Sequence, residues 1–280
     1  MATPLGGQIA LVTGGGRGIG RTLALGLARA GADVVVVART KVEVDAVAEA
    51  IRELGRRALA VTANIESRAG AQRAVDECAQ HLGPPGVLVN AAAVQGPIGR
   101  FDTLDLDAWA YTVRVDLLGM AFVTHAVLQH MVAMRRGKIV NLSGGGSASP
   151  RPRFSAYTSS KAAVVRLTET LAEELLEANV QVNAVDPGAT WTRMTEEVLE
   201  AGATAGPKAL TEALKVWETG GTPPERQVEL VIFLASSASD LVTGRLIHVN
   251  DPWRELFDGS ALPGDLFRLR RVGPSLVKGR

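Results

Sequence analysis

Short apolar runs alternate with longer stretches of helical spacing over most of the chain. Each run has the length and the branched apolar residues of a strand, and apolar positions three or four apart mark the helices between them. The four valines at 34–37 form a continuous apolar run, which is typical of a parallel strand buried on both faces. The pattern predicts an α/β fold: a doubly wound parallel sheet of about seven strands, with helices on both faces, in a single domain.

The apolar runs, and the glycines that follow helical stretches, set the predicted element boundaries. Strands are predicted at 8–13, 34–37, 58–62, 87–89, 138–142, 180–185 and 246–249. Helices are predicted at 19–30, 42–54, 69–82, about 106–134, 156–178 and 225–235, with a helical region at 193–217 that breaks at Gly202 and Gly206.

Composition excludes several classes of protein. Of the 280 residues, 46 % are hydrophobic, which is enough for a large core and excludes wholesale disorder. Lys and Arg number 30 against 29 Asp and Glu, so no nucleic-acid partner is expected. The single cysteine, Cys78, allows no intramolecular disulfide, and the four histidines lack metal-ligand spacing, so we predict no metal site.

No membrane attachment is expected either. The N-terminus lacks a basic region followed by an apolar one, so it does not resemble a secretory signal. Residues 117–134 carry no formal charge, but they include polar side chains such as Thr124 and His125 and are flanked by Asp116 and Arg135. We interpret them as a helix buried in the protein or at a subunit interface, and we expect a cytoplasmic protein.

The first predicted strand leads directly into the sequence T-G-G-G-R-G-I-G at 13–20. Glycines let the backbone approach a pyrophosphate closely, and the helix that follows offers unpaired N–H groups at its positive end. A glycine string between a first strand and a helix therefore predicts a dinucleotide site.

The spacing T-G-x-x-x-G-x-G resembles the short-chain dehydrogenase/reductase family, and the resemblance extends over about residues 8–250. It implies a Rossmann fold and reversible hydride transfer between a nicotinamide cofactor and a small-molecule carbonyl or secondary alcohol. The cofactor contacts it implies fall on Thr13, Gly14, Gly16, Arg17, Gly18, Ile19, Gly20, Arg39, Asn64, Ile65, Asn90, Ala91, Ala92, Tyr157, Lys161, Pro187, Gly188, Thr190 and Thr192.

The end of the second strand indicates which cofactor is bound. An NAD-binding site typically has an acidic residue there, whereas this chain has Arg39, with Arg17 in the glycine loop expected nearby. A guanidinium suits a 2′-phosphate, so NADP(H) is the preferred cofactor and NAD(H) a possible one. Alternatively, Arg39 stacks on the adenine or lies in solvent.

Two further segments depart from the family pattern. Asn64 stands where the family usually has an Asp near the adenine, and its amide oxygen can still accept a hydrogen bond. The family's N-N-A-G is N-A-A-A at 90–93 here, which loses the backbone freedom of a glycine.

The sequence Y-T-S-S-K at 157–161 places Tyr157 and Lys161 on one face of a predicted helix. A free tyrosine has a pKa of about 10, and a fixed ammonium one turn away stabilises its phenolate. The resemblance implies that Tyr157 exchanges a proton with the substrate oxygen and that Lys161 also holds the cofactor ribose.

The resemblance also implies a serine beyond the fifth strand, but its usual position, 13 residues before the tyrosine, is Gly144. We assign the role to Ser143, because three consecutive glycines make a one-residue shift feasible. Ser147 is the second candidate, and a third interpretation has neither serine reaching the substrate.

Asp116 occupies the place of a family asparagine that marks a helix kink and helps hold a water connected to the lysine. An ionised Asp116 favours protonated Lys161 and opposes ionisation of Tyr157. We therefore expect a pH–rate profile at higher pH than that of an Asp116→Asn variant.

Residues 189–222 occupy the place of the family's substrate-binding region. Within it, Trp191, Met194, Leu199 and Trp217 either line an apolar pocket or pack the local core. Residues 1–251 contain no linker and are assigned to one cofactor-binding and catalytic domain. The extension at 252–280 either packs on the surface or a neighbouring subunit, or covers the active site.

The departures at Asp116, Gly144 and Ala93 keep an alternative open, namely an NADP(H)-binding sensor or structural subunit without turnover. A hydrolase is disfavoured because S-G-G-G-S at 143–147 lacks the G-x-S-x-G turn. The resemblance further implies a homo-oligomer, a dimer or tetramer that associates through the long helices.

Overall fold

The computed structural model describes residues 3–257 and 264–270. Its sheet contains seven parallel strands in the order β3-β2-β1-β4-β5-β6-β7. Each strand overlaps a predicted one, which confirms the doubly wound α/β fold. The strands are β1 (Ile9–Thr13), β2 (Asp33–Ala38), β3 (Ala58–Thr62), β4 (Val87–Asn90), β5 (Gly137–Leu142), β6 (Val180–Asp186) and β7 (Leu246–His248).

Helices cover both faces of this sheet. Helices α1, α2 and α9 contribute to one core cluster, and α3, α5 and α6 contribute to the other. The helices are α1 (Gly18–Arg29), α2 (Lys41–Glu53), α3 (Arg68–His81), α4 (Leu106–Val113), α5 (Met120–Met134), α6 (Ser155–Glu174), α7 (Arg193–Glu200), α8 (Pro207–Thr219), α9 (Pro224–Ala235) and α10 (Trp253–Leu256).

The valines of β2 explain why an uninterrupted apolar run is a strand here. Val34 and Val36 pack in the cluster with α1 and α9, while Val35 and Val37 pack in the cluster with α3 and α5. Successive side chains of a strand point to opposite faces, so a sheet covered on both sides needs apolar residues at every position.

The strand order also places the functional region. The chain moves from β1 to β2 and β3 on one side, and then crosses to β4 on the other side of β1. Loops after β1 and β4 therefore leave the sheet in opposite directions, and the crevice between them is where such sheets bind ligands.

The helix predicted at about 106–134 is continuous but not α-helical throughout. Residues Arg114–Gly119, which include Asp116, form a π-helical turn between α4 and α5. By length and composition alone, Leu106–Met134 could cross a membrane. In this fold Val123, Val127 and Met131 lie in the core cluster beneath the sheet, which accounts for its apolar character.

The second long helix ends earlier than predicted. Helix α6 stops at Glu174, and residues 175–179 turn back toward β6. Asn179 has φ 54°, a left-handed conformation that asparagine tolerates better than most residues, which allows the sharp reversal.

Part of the predicted C-terminal extension is described, and it packs at the β7 edge of the sheet. The Leu246 amide donates to the Phe267 carbonyl at 2.7 Å. Phe233 of α9 lies 5.0 Å from Trp253, centroid to centroid, and 5.7 Å from Phe257. The prediction for residues 258–263 and 271–280 lies outside the described residues.

Candidate active site

A cleft of about 730 Å³ lies at the carboxyl ends of the strands. It is lined by backbone and side chains that follow β1, β2, β4, β5 and β6, so distant parts of the sequence meet there. The predicted site residues that line it are Gly14, Gly16, Arg17, Gly18, Ile19, Gly20, Arg39, Asn64, Ile65, Ala91, Ala92, Ser143, Tyr157, Lys161, Pro187 and Thr192. Thr13, Asn90, Asp116, Gly188 and Thr190 do not line the cleft.

The glycine loop packs directly against the backbone that follows β4. A Cβ on Gly14 would lie 2.7 Å from the Ala92 Cα, and one on Gly20 would lie 2.2 Å from the Gly14 carbonyl oxygen. The Thr13 hydroxyl accepts hydrogen bonds from the amides of Ala91 and Ala92 at 3.2 and 3.3 Å. The close contact explains why side chains are excluded from these two glycine positions.

This cradle fits a dinucleotide. Helix α1 begins at Gly18 without a side-chain cap, so the N–H groups of its first turn have no capping partner. Uncapped amides at a helix N-terminus bind anions such as pyrophosphate. Because Gly14 and Gly20 have no Cβ, the loop leaves room for phosphates to approach these amides.

Two cleft-lining residues that the sequence does not single out, Tyr111 and Glu43, contact Arg39 and Arg17. Arg39 donates to the Tyr111 hydroxyl at 2.5 Å, which connects the end of β2 with α4. Arg17 lies 3.8 Å from the Glu43 carboxylate at the start of α2. Arg17 and Arg39 thus both line the cleft. Tyr111 and Glu43 are brought to them by the fold, from positions that no sequence pattern marks.

Tyr157 and Lys161 lie in the first two turns of α6 and are both buried. The Lys161 ammonium donates to the Leu142 carbonyl at 2.9 Å and lies 5.6 Å from the centroid of the Tyr157 ring. Burial raises the pKa of Tyr157 and lowers the pKa of Lys161, while the carboxylates of Asp116 and Asp186 raise both pKa values. Tyr157 is therefore a group that holds its proton until a charge or a partner stabilises its phenolate.

The structure separates the serine candidates. Ser143 lines the cleft, is 2 % exposed, and its hydroxyl has no hydrogen-bond partner among the described residues. Ser147 is also buried but does not line the cleft. A Cβ on Gly144 would lie 2.2 Å from the Tyr157 hydroxyl, so the tyrosine occupies the space that a serine at 144 would need.

Asp116 lies behind the cleft wall in the π-helical turn. Its side chain is 1 % exposed, and one carboxylate oxygen accepts from the Val94 amide at 2.8 Å. The other oxygen has no partner among the described residues. Burial raises the pKa of Asp116 to about 6, against the opposing effects of the Lys161 charge and the Val94 hydrogen bond.

A buried glutamine that the sequence does not single out fixes the loop after β6. Gln227 of α9 donates to the Pro187 carbonyl at 2.9 Å and to the Thr190 hydroxyl at 2.7 Å. Pro187 and Thr192 line the cleft, whereas Thr190 and Gly188 lie beside it. The loop reaches the cleft at Pro187, Trp191 and Thr192.

The four residues proposed as a substrate pocket do not share one environment. Trp191 and Met194 line the cleft. Leu199 instead packs on the small core cluster around Phe154, and Trp217 is 61 % exposed outside the cleft. Among the described residues, no group of three or more His, Cys, Asp or Glu side chains could hold a metal ion.

Comparison with known proteins agrees with this geometry. A family model of short chain dehydrogenases matches residues 8–202. The chain belongs to the short-chain dehydrogenase/reductase family. It is thus an NAD(P)-dependent oxidoreductase that transfers hydride on CH–OH and C=O groups, as predicted, and the family's named dehydrogenases and reductases favour an enzyme over a binding protein.

Relatives of this short-chain dehydrogenase/reductase include 5-keto-D-gluconate 5-reductase from Escherichia coli (strain K12), 32 % identical over 254 residues, which are 88 % of this chain and 95 % of the relative. Cis-4-hydroxycyclohexanecarboxylate dehydrogenase from Sinomonas cyclohexanicum is 34 % identical over 243 residues, 87 % of this chain and 95 % of the relative. The crystal structure of a gluconate 5-dehydrogenase from Burkholderia cenocepacia J2315 in complex with NADP and tartrate has a TM-score of 0.79 and 32 % identity, covering 91 % of this chain and 98 % of that one.

The contact between Gly144 and Tyr157 makes a testable prediction. In Gly144→Ala the new Cβ displaces the Tyr157 hydroxyl, and we expect kcat/KM for carbonyl reduction to fall about 100-fold, the effect of a misplacement of about 1 Å. Gly145→Ala is the matched control, because a Cβ there meets nothing within 4 Å. Equal activity of the two variants, with NADPH binding intact in both, would contradict the placement of Tyr157.

Proposed function

We propose that Tyr157 is the acid/base of this oxidoreductase, that Ser143 orients the substrate carbonyl, and that Lys161 stabilises the Tyr157 phenolate and binds the cofactor ribose. The observation that carries the proposal is the Tyr157 hydroxyl, which lies against the loop after β5 in the same cleft as the glycine cradle. A buried serine hydroxyl with no protein partner lines that cleft as well.

Each side chain has a distinct part in this mechanism. A bound nicotinamide cofactor supplies or accepts the hydride. In reduction, neutral Tyr157 donates its proton to the substrate oxygen, and the Ser143 hydroxyl donates a hydrogen bond to the same oxygen. The ammonium of Lys161, held by the Leu142 carbonyl, stabilises the phenolate that remains. Asp116, whose charge acts on Lys161, occupies a position in the proton relay that leads to this lysine.

The adenosine end of the cleft favours NADP(H) over NAD(H). Arg39 and Arg17 both line the cleft, and neither an Asp nor a Glu stands at the end of β2. Their guanidinium groups can bind a 2′-phosphate through charge and through paired N–H donors. The solved relative with NADP supports the same preference. Glu43 beside Arg17 weakens this preference, which keeps NAD(H) as a second cofactor.

Substrate, assembly and location complete the proposal. The relatives are named for gluconate, keto-gluconate and hydroxycyclohexanecarboxylate chemistry, so a small polar alcohol or ketone is the proposed substrate. The protein is a cytoplasmic homo-oligomer, a dimer or a tetramer. Residues 1–251 form its catalytic domain and 252–280 its extension.

The role of Tyr157 is tested by a carbonyl panel with NADPH and with NADH, run on the wild type and on Tyr157→Phe. Removal of the hydroxyl leaves no proton donor, and we expect kcat to fall about 100- to 10,000-fold, the usual contribution of general acid catalysis. NADPH binding should stay within about threefold of the wild type, because the ring remains. Turnover by Tyr157→Phe at the wild-type rate would exclude Tyr157 as the acid/base.

The role of Arg39 is tested by charge reversal. Arg39→Asp should lower the ratio of NADPH to NADH affinity about 10- to 100-fold, which corresponds to the loss of one charged hydrogen bond. Lys41→Asp changes the same charge two residues away, outside the cleft, and should leave the ratio nearly unchanged. The assignment fails if both variants keep the wild-type ratio in equilibrium titrations followed by nicotinamide fluorescence.

The negative charge of Asp116 predicts how the rate of alcohol oxidation depends on pH. Above pH of about 6 the carboxylate is ionised and raises the pKa of Tyr157. Alcohol oxidation needs the Tyr157 phenolate, so its rate rises with pH as the tyrosine loses its proton. Asp116→Asn removes the charge and keeps an oxygen for the Val94 amide, so the rising limb should move to lower pH. The control is Asp102→Asn, on the exposed surface, and coincident profiles for all three proteins would refute the effect.

A further inference from the structure

One side-chain hydrogen bond spans the crevice at the carboxyl end of β2. The Arg39 guanidinium, through Nη1, donates to the Tyr111 hydroxyl at 2.5 Å, although the two residues are 72 positions apart in the chain. Arg39 follows β2 on one side of β1, and Tyr111 belongs to α4, which comes after β4 on the other side. Both residues line the cleft. The bond therefore joins two walls of the crevice.

The helical spacing of α4 and of the turn after it places Tyr111 at the cleft. Ala108, Tyr111 and Val115 are three and four residues apart, and all three line the cleft. Tyr111 is half-buried, and the guanidinium carbon of Arg114 lies 5.8 Å from the centroid of its ring, within the range of a cation–π contact. The ring therefore belongs to the wall of the cleft, and its hydroxyl reaches Arg39 from there.

The bond holds Arg39 without neutralising it. In the part of the chain that the structure describes, the Tyr111 hydroxyl is the hydrogen-bond partner of the Arg39 guanidinium, which forms no ion pair there. Arg17, the other arginine at this end of the cleft, instead lies 3.8 Å from the carboxylate of Glu43. A phenol is neutral, whereas a carboxylate compensates the charge of a guanidinium. Arg39 is thus oriented while its full charge remains available to an anion.

We propose that Tyr111 is a positioning residue for the 2′-phosphate of the cofactor: its hydroxyl orients the Arg39 guanidinium toward that phosphate and so strengthens the preference for NADP(H). The inference rests on the proposed function, in which Arg39 binds the 2′-phosphate. A guanidinium carries five N–H donors in one plane, and the bond to Tyr111 uses a donor on Nη1. Arg39 is exposed, so the donors on Nε and Nη2 remain open to a pair of phosphate oxygens. An arginine that is already oriented loses less conformational entropy when it binds.

The first test removes the hydroxyl and keeps the ring. In Tyr111→Phe we expect the NADPH affinity to fall about three- to tenfold, the usual effect of one neutral hydrogen bond, and the NADH affinity to change less than about twofold. Equilibrium titrations followed by nicotinamide fluorescence measure both affinities. A residue that merely supports the fold would weaken both cofactors alike, so equal losses would overturn the proposal.

A second pair of ligands reads the phosphate without the nicotinamide half of the cofactor. Adenosine 2′,5′-bisphosphate and adenosine 5′-monophosphate differ only in the 2′-phosphate. Calorimetric titration should show that Tyr111→Phe weakens the bisphosphate by about three- to tenfold and the monophosphate by less than about twofold. Arg114→Gln is the matched control, because it removes a charge beside the same ring and leaves the hydroxyl in place. A loss in Arg114→Gln as large as that in Tyr111→Phe would assign the effect to surface charge and overturn the proposal.

A double-mutant cycle tests whether the hydroxyl acts through Arg39. Arg39→Met keeps the stem of the side chain and removes its donors, and it should lower the ratio of NADPH to NADH affinity about 10- to 100-fold. In that background, Tyr111→Phe should change the ratio less than about twofold, because the hydroxyl has no guanidinium left to orient. The same loss with and without Arg39 would mean that Tyr111 acts independently of Arg39, which would overturn the positioning role.

The cycle also distinguishes this inference from the cofactor preference on which it rests. If Arg39→Met lowers the ratio while Tyr111→Phe leaves it unchanged, the role of Tyr111 is wrong and the 2′-phosphate site at Arg39 stands. If Arg39→Met leaves the ratio unchanged, the site and the role of Tyr111 are both wrong. Thermal unfolding of each variant without cofactor verifies that it is folded.

Discussion

A buried chain of side-chain hydrogen bonds joins the centre of the sheet to α5 and to α6, the helix that holds Tyr157 and Lys161. Asn90 at the end of β4 donates to Thr124 of α5 at 3.0 Å and to Asn141 of β5 at 2.9 Å. Asn141 in turn donates to Thr168 of α6 at 2.9 Å. A buried amide without partners is costly, so each of these residues constrains the distance between its two elements. The position of α6, and with it the spacing between Tyr157 and the sheet, depends on this chain.

The network also explains which departures from the family pattern the site accepts. Asn90 keeps its partners although Ala91 and Ala93 replace the usual neighbours, because the hydrogen bonds come from its own side chain. Gly144, the second departure, leaves room for the tyrosine hydroxyl, and the hydroxyl of Ser143 lines the cleft one residue earlier. Asp116, the third departure, introduces a buried carboxylate whose one hydrogen bond is to a backbone amide. Of these departures, Asp116 is the one that adds an ionisable group beside the cleft.

Much of the fold was predictable from the sequence, because strands such as β2 are buried on both faces and so carry an unmistakable apolar run. The glycine loop and the Tyr157–Lys161 pair were predictable because their chemistry depends on local spacing. The end of α6 was not, since an apolar helical pattern continues into the turn that Asn179 closes. Gln227 leaves no local signal, because its hydrogen bonds are to Pro187 and Thr190, which are distant in sequence.

The π-helical turn at Arg114–Gly119 has a consequence for changes in chain length. Such a turn accommodates one more residue than an α-helical turn. Deleting a single residue there would allow a regular α-helix to form, at little cost to helical hydrogen bonding. Because the wide turn already absorbs that residue, α4 and α5 would keep their faces, and Val123, Val127 and Met131 would stay in the core. The displaced residues would be those of the turn itself, among them Asp116, whose carboxylate would lose the Val94 amide. A shortened helix would therefore leave the fold in place and remove a buried charge from the wall of the cleft.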